Sequence, residues 1–191
     1  ESITLAGGVP VVVATTDETG FKVAIDQLDA ARTNRTKVLL FVSPDNPSGA
    51  VYSPAEVRAI GEWAVDKGVW VITDEIYEHI YYEGEHVPMA TLEGMRDRTI
   101  TVSGASKTFA VTGWRVGTIV APPEATAAIR KVHDFLTVGS PAPLQEAVAT
   151  ALETERCPGV VQAEQMQNPR LQSVCADFVC DNPETHLVRP A

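Results

Sequence analysis

The sequence predicts an α/β fold of three layers, in which helices flank a mostly parallel sheet. Short apolar runs without polar alternation recur along the 191 residues, and such runs are typical of strands that are buried on both faces. Segments with helical spacing lie between these runs, and strands that alternate with helices favour a parallel sheet. Polar residues follow several of the runs, which indicates a ligand site at the carboxyl ends of the strands.

Five segments are predicted to be strands. Val9–Thr15 is apolar and rich in β-branched residues, and Pro10 stands near its start, where the missing N–H does least harm. Lys37–Ser43 shows no alternation, so we expect this strand to be covered on both faces. The other three predicted strands are Val69–Thr73, Arg98–Val102 and Trp114–Ala121.

One predicted helix carries clear start and stop signals. Ser53 is a good N-cap, Pro54 suits the first helical position, and Glu56 completes a capping box. Gly68 is expected to end the helix, because glycine readily takes the left-handed conformation that follows a helix. The buried stripe of this helix is predicted to contain Val57, Ile60, Trp63 and Ala64, with Lys67 as a further candidate.

Three further helices are predicted from apolar periodicity. They span Ile25–Arg32, Pro122 to about Val138, and about Pro143–Glu155. An amphipathic helix of this kind turns its apolar stripe toward the core. For the second of these helices, the residues expected to face inward are Ala127 or Ala128, Ile129, Val132 and Phe135.

Charge and composition argue against several classes of protein. The formal net charge is -10, whereas binding to nucleic acid or to an anionic membrane requires a basic face. No apolar run approaches the length of a membrane span and no leader opens the chain, so we expect a cytoplasmic protein. The chain begins at Glu1 rather than Met, which suggests a fragment or a processed product. The three cysteines, Cys157, Cys175 and Cys180, lack the spacing of a zinc site, and no metal site is expected.

Polar side chains at or just after the predicted strand ends suggest one chemistry. Each of them alone has an ordinary explanation, such as a turn residue, a cap or a surface charge. Together they provide the parts of a pyridoxal-phosphate site. A lysine forms an imine with an aldehyde, a carboxylate keeps a pyridine nitrogen protonated, an arginine binds a phosphate, and asparagine and tyrosine hydrogen-bond a phenolate oxygen. These side chains are Asn46, Asp74, Tyr77, Lys107 and Arg115.

Three sequence motifs surround these residues in register. Ser43–Tyr52 reads S-P-D-N-P-S-G-A-V-Y, Thr73–Glu78 reads T-D-E-I-Y-E, and Ser106–Gly117 contains S-K-T-F followed by G-W-R-V-G. With these motifs the chain resembles the class I pyridoxal-phosphate aminotransferases, most closely their aspartate-aminotransferase-like subgroup. The order of the motifs and their internal spacing agree with the pattern of that family. The resemblance extends more faintly from about residue 5 to residue 152.

The resemblance implies roles for the residues that contact the cofactor ring and the substrate. Lys107 would bind pyridoxal 5'-phosphate covalently and would move the α-proton of the substrate. Asp74 would pair with the ring nitrogen. Tyr77 and Asn46 would hold the phenolate oxygen, and Asn46 would also lie close to the substrate carboxylate.

The same resemblance implies how the cofactor phosphate is held. Arg115 would bind the phosphate, with help from Ser106. The family often has a serine three residues before the lysine, but this chain has Gly104 at that position. We therefore expect one of the phosphate hydroxyls of the family to be missing.

The resemblance also implies a domain organisation and an activity. Residues 1–121 would be part of a large cofactor-binding domain, residues 122–155 would lead toward a small domain, and residues 156–191 remain unassigned. The intact parent protein would transfer an amino group between an amino acid and a 2-oxo acid, and it would act as a homodimer.

Three other functions can be compared with the motifs. A nucleotide-hydrolysing domain is disfavoured, because a phosphate-binding loop requires glycine one and six residues before its lysine, where this chain has Ser106 and Thr101. A non-catalytic remnant of an aminotransferase and a related pyridoxal-phosphate lyase both agree with the motifs, and they remain open.

Overall fold

A computed structural model describes residues 1–155 of the chain. Its helices are α1 (Ser2–Leu5), α2 (Ile25–Ala31), α3 (Pro54–Lys67), α4 (Ala105–Thr108), α5 (Pro123–Leu136) and α6 (Ala142–Glu155). Its strands are β1 (Val38–Val42), β2 (Trp70–Asp74), β3 (Thr99–Gly104) and β4 (Gly117–Val120). Short 3₁₀ helices occupy Asp17–Thr19, Met89–Thr91, Arg96–Arg98 and Thr112–Trp114. The segment 156–191 lies outside the described residues, and the proposed domain boundaries stay a prediction.

The four strands form one sheet in the order β1-β2-β3-β4. β1 pairs parallel with β2, and β2 pairs parallel with β3, whereas β4 runs antiparallel to β3. Helix α3 connects β1 to β2, because parallel neighbours require a crossover connection of this length. The predicted α/β class with a mostly parallel sheet is confirmed.

The predicted ends of α3 are confirmed by its caps. Ser53 Oγ accepts a hydrogen bond from the Glu56 N–H at 3.3 Å, and Glu56 Oε2 accepts one from the Ser53 N–H at 2.6 Å. Gly68 has a φ of 64° at the other end of the helix, a left-handed conformation in which glycine carries no steric cost. These local signals fix the two ends of the helix without help from the rest of the fold.

The main core combines residues of α2, α3, β1 and β2. Val57, Ile60 and Ala64 of α3 are buried together with Phe41 of β1 and Val71 of β2. Burial of an aliphatic or aromatic side chain of this size contributes about 1.5–3 kcal/mol. This core therefore fixes the positions of β1 and β2, whose carboxyl ends lead into the candidate site.

The prediction of a buried strand over Val9–Thr15 is wrong. Val9 and Val12 are 82% and 86% exposed, and the segment forms no strand. The carbonyl of Ala14 instead accepts a hydrogen bond from the Gln27 side chain at 3.2 Å. An apolar, β-branched run becomes a strand only where a neighbouring backbone supplies hydrogen bonds, and this segment has no such neighbour among residues 1–155.

In the described part of the chain, one face of β1 and the predicted inner side of α5 are also exposed, although both were predicted to be buried. Val38 and Leu40 of β1 are 48% and 57% exposed, so this strand is not covered on both faces. Side chains alternate along a strand, and the core covers the opposite face, on which Phe41 lies. In α5, Val132 and Phe135 are 59% and 92% exposed, contrary to the predicted burial.

None of the helices within residues 1–155 combines the length and the apolar character that crossing a bilayer requires.

Candidate active site

The candidate site lies where β2 and β3 end side by side. Asp74 is the last residue of β2 and is in register with Val102 of β3. Two residues further along β3, at Gly104, the chain enters α4, a single turn that carries Ser106 and Lys107. This short helix places Lys107 beyond the carboxyl edge of the sheet.

Three of the predicted site residues are in direct contact. Asn46 Nδ2 donates a hydrogen bond to Tyr77 Oη at 3.0 Å, although the two residues are 31 positions apart. Lys107 Nζ lies over the Tyr77 ring, 5.5 Å from its centroid, within the range of a cation–π interaction. Tyr77 thus joins the loop after β1 to the helix after β3.

Asp74 occupies the same edge of the sheet and is half-buried. Its Oδ1 accepts a hydrogen bond from the Ile76 N–H at 3.1 Å. This bond fixes the carboxylate relative to the turn that carries Tyr77. A carboxylate held in this way at the end of a parallel strand can face a ligand bound over the edge of the sheet.

Ser106 and Arg115 are connected to each other through Thr112. Thr112 Oγ1 donates a hydrogen bond to the Ser106 carbonyl at 3.1 Å, and Arg115 Nη1 donates one to the Thr112 carbonyl at 3.3 Å. Arg115 has a φ of 55°, which is uncommon outside glycine and is found more often at ligand sites. Its guanidinium lies at the protein surface, and no contact with the trio of Asn46, Tyr77 and Lys107 is present among the described residues.

Asn46 and Tyr77 also line a cleft of about 640 Å³. Other residues of its wall are Lys22, Tyr81 and Tyr82. This volume lies within the range of small-molecule sites, roughly 300–1,000 Å³. Because two predicted cofactor contacts belong to its wall, the cleft offers space for a ligand directly beside them.

Gly104 allows the close approach of β3 and β4. A Cβ at this position would lie 2.9 Å from Gly117 Cα and 3.0 Å from the Val116 carbonyl oxygen. Both atoms belong to the backbone, so they cannot move aside as a flexible side chain does. The missing serine hydroxyl noted in the sequence therefore has a steric reason.

We expect Gly104→Ser to destabilise the fold by about 1–3 kcal/mol, the usual cost of overpacking. The variant restores the hydroxyl that relatives often have, but the backbone of β4 must shift to admit it. Urea unfolding measures the effect. Gly113→Ser is the matched control, because a Cβ there meets no atom within 4 Å. Equal stability of the two variants would contradict the steric explanation.

A buried polar cluster beneath Tyr77 was missed by sequence reasoning. Glu75 is 1% exposed and His86 is 6% exposed, and Glu75 Oε2 lies 3.0 Å from His86 Nε2. Glu75 Oε1 accepts a hydrogen bond from the Met89 N–H at 3.1 Å. Glu78 accepts a hydrogen bond from Ser103 Oγ. The only signal in the sequence was a pair of acidic residues after an apolar strand, which more often lie in solvent.

This cluster also has the composition of a metal site. Glu75, Glu78 and His86 each offer one ligand atom, and these atoms lie within 4.8 Å of one another. Both carboxylates already accept hydrogen bonds from protein groups. The cluster is therefore accounted for as a buried hydrogen-bond network that holds the turn after β2.

We expect Glu78 to make stability depend on pH. Burial raises the pKa of the Glu78 carboxyl, and the nearby Glu75 charge acts in the same direction, although the bond from Ser103 opposes it. The native state consequently favours the protonated form. This contribution is complete below the unfolded pKa of about 4.3 and is lost as the pH rises through the higher folded value.

Glu78→Gln keeps an acceptor for Ser103 but stays neutral at every pH. The difference in unfolding free energy between this variant and the parent should therefore grow in favour of the variant as the pH rises above about 4.3. Urea unfolding between acidic and neutral pH tests this expectation. A difference that does not change with pH would contradict it.

Comparison with known protein sequences identifies relatives over most of the chain. The family profile described as "Aminotransferase class I and II" matches residues 1–171, which extends past residue 152, where the resemblance was expected to end. An aspartate aminotransferase of Streptomyces avermitilis is 50% identical over 140 residues, which cover 72% of this chain and 34% of that protein. An asparagine–oxo-acid transaminase of Streptococcus mutans is 35% identical over 192 residues, with coverage of 100% and 48%.

Solved structures agree with the sequence comparison. The N-succinyldiaminopimelate aminotransferase of Mycobacterium tuberculosis superposes with a TM-score of 0.72 at 38% identity, over 92% of this chain and 46% of that one. A double mutant of the Thermus thermophilus aspartate aminotransferase gives a TM-score of 0.72 at 36% identity, with coverage of 93% and 41%. The chain spans about a third to a half of the length of these relatives. The profile match and the shared fold show that the chain belongs to the class I and II aminotransferase family.

Proposed function

We propose that this chain carries the cofactor-binding part of a transaminase, which transfers an amino group between an amino acid and a 2-oxo acid. The observation that carries the proposal is the contact of Lys107 with the Asn46–Tyr77 pair, at the same sheet edge as Asp74. Membership of the aminotransferase family supports the same conclusion. Because the chain covers only part of its relatives, the activity is proposed for the intact protein.

The donor set fits pyridoxal 5'-phosphate, a cofactor with an aldehyde, a phenolate oxygen, a ring nitrogen and a phosphate. Asn46 Nδ2 and Tyr77 Oη lie 3.0 Å apart, so both can donate hydrogen bonds to one phenolate oxygen. Asp74 provides a carboxylate for the ring nitrogen, and Arg115 provides a guanidinium for the phosphate. When bound, the cofactor supplies an electron-withdrawing ring that stabilises negative charge at the substrate α-carbon.

Each residue would then have a defined task. Lys107 Nζ would hold the cofactor through its aldehyde and, once freed, would serve as the base for the proton at the substrate α-carbon. Tyr77 orients this amine, since the ring lies 5.5 Å from it. Asp74 would hold a proton on the ring nitrogen, and Ser106 would assist Arg115 at the phosphate.

We expect Asp74→Asn to weaken cofactor binding by about 10- to 100-fold. The amide keeps an acceptor for the Ile76 N–H but removes the negative charge, and a hydrogen bond to a charged group contributes about 1.5–3 kcal/mol. Titration of the cofactor by absorbance measures the change. Unchanged cofactor affinity in a stably folded Asp74→Asn protein would contradict a contact between Asp74 and the ring nitrogen. Asp74 would then act only as a cap at the end of its strand.

The transaminase activity of the intact protein is tested with pyridoxal phosphate, a panel of amino acids and a 2-oxo acid. Transfer of the amino group, followed with ¹⁵N-labelled donor, is the expected result. Release of ammonia without transfer would instead indicate a pyridoxal-phosphate lyase. A covalent cofactor adduct with neither reaction would support the non-catalytic alternative.

Two broader expectations belong to the same proposal. We propose that the intact protein is a homodimer, as the family resemblance implies, and that it works in the cytoplasm. Analytical ultracentrifugation of the intact protein with bound cofactor tests the first expectation. Cell fractionation tests the second.

A further inference from the structure

The turn that carries Tyr77 is tied to β3 by its backbone. The Glu75 N–H donates to the Val102 carbonyl at 2.8 Å, which anchors the start of the turn. The Glu78 N–H donates to the Glu75 carbonyl and the Ile80 N–H donates to the Tyr77 carbonyl, both at 2.8 Å. These bonds shape the turn itself, but only the first of them connects it to the strand that leads to Lys107.

A second connection is made by a side chain. Glu78, the residue after Tyr77, accepts a hydrogen bond from Ser103 Oγ, and Ser103 lies in β3 four residues before Lys107. The bond joins positions 25 apart in the sequence. It therefore bridges the two segments that carry the Tyr77 ring and the Lys107 amine.

The same turn is also held by Glu75. Its carboxylate contacts His86 Nε2 and accepts a hydrogen bond from the Met89 N–H, so the turn is fixed to the segment after it. With both carboxylates engaged, the turn can move away neither from β3 nor from the His86–Met89 segment without breaking a hydrogen bond in a largely buried environment. Such bonds are costly to lose.

We propose that Glu78 is a positioning residue, which holds the Tyr77 ring against Lys107 through its hydrogen bond with Ser103. Among the described contacts, no hydrogen bond joins Lys107 to Tyr77. Their contact is that of Lys107 Nζ with the face of the Tyr77 ring, 5.5 Å from the ring centroid. An attraction of that kind is weak at an exposed site, so the two backbones determine the distance. The expected effect on cofactor binding rests on the proposed function. The position of the Tyr77 ring against the Lys107 amine is independent of that function.

The test reads the placement directly and without cofactor. The chain has five lysines, so reductive ¹³C-methylation gives few NMR signals, and a Lys107→Arg variant assigns the one of interest. In the parent this signal should carry an upfield shift from the Tyr77 ring, which Tyr77→Leu removes. Ser103→Ala and Glu78→Ala each remove the bridge from one side, and both should lose most of that shift.

Two variants serve as controls. Glu78→Gln keeps an acceptor for Ser103 and should retain the shift. Asp29→Ala removes another carboxylate that accepts a side-chain hydrogen bond, here from Trp63 Nε1 of α3 at 2.8 Å, and should also retain the shift. A role limited to stability would give Asp29→Ala and Ser103→Ala the same spectrum for Lys107. That outcome, or an unchanged shift in Ser103→Ala, would overturn the proposal.

A cofactor titration of the same variants separates this inference from the proposed function. Ser103→Ala should bind pyridoxal phosphate about tenfold more weakly than Glu78→Gln, which corresponds to about 1.4 kcal/mol. If the parent forms no adduct but the ring shift responds as expected, the proposed function fails and the positioning role stands. If the parent binds cofactor and the shift and affinity of Ser103→Ala match the parent, the positioning role fails and the function stands.

Discussion

Lys107→Ala should reduce the borohydride-fixed adduct with pyridoxal phosphate to background. Borohydride traps the link between an aldehyde and an amine, and Lys107 Nζ lies over the ring of Tyr77, whose hydroxyl is bonded to Asn46. The fold should be little affected, because the cation–π contact with Tyr77 contributes about 0.5–1 kcal/mol at an exposed site. Absorbance, mass of the reduced protein and peptide mapping measure the label.

Two further variants sharpen this test. Lys107→Arg keeps the positive charge over the Tyr77 ring but cannot form the adduct, so it should also remain unlabelled. Lys131→Ala removes an exposed lysine of α5 and should be labelled like the parent. Label mapped to any lysine other than Lys107 would remove this residue from its assigned role.

Glu75→Ala should be the most destabilising of the substitutions considered, by about 3–5 kcal/mol. The side chain is 1% exposed, and its two oxygens are bonded to the His86 ring and to the Met89 amide. Alanine removes both acceptors and leaves a cavity. Urea unfolding followed by circular dichroism measures the loss.

Glu75→Gln and Glu62→Ala are the matched variants for this prediction. Glutamine fills the same space and keeps an acceptor for the Met89 N–H, so it should recover part of the stability. Glu62 lies on the exposed side of α3, and its removal should change stability by less than about 0.5 kcal/mol. A loss below about 1 kcal/mol in Glu75→Ala would mean that the pair with His86 contributes little net stability, as some buried ion pairs do.

Features that depend on neighbours in sequence could be predicted without the structure. The caps of α3 are an example, because Ser53, Glu56 and Gly68 act within one or two turns of the helix. The parallel strands β1, β2 and β3 lie close to their predicted positions, because their apolar runs are bounded by turn residues. The spacing of Lys107 and Arg115 within one motif indicated the family, which the comparison with known proteins confirmed.

Features that depend on distant partners could not be predicted in the same way. Val9–Thr15 has the composition of a strand, yet no adjacent backbone pairs with it among residues 1–155, and it stays irregular. Val38 and Leu40 of β1 are likewise exposed. Whether such residues are covered depends on which elements pack against them, and the apolar sequence of the strand does not encode that. A strand is stabilised by its neighbours, so composition alone is weak evidence for one.

For the candidate site, the motifs predicted the chemistry, and the fold established which residues are in contact. The motifs predicted Asn46, Asp74, Tyr77 and Lys107, because these residue types in this order are typical of one cofactor. Only the fold showed that Asn46 contacts Tyr77 across 31 positions, that Glu75 is buried and that Glu78 is half-buried against Ser103. Burial and contact between distant residues arise from packing of the whole sheet and its helices, so no local pattern reveals them.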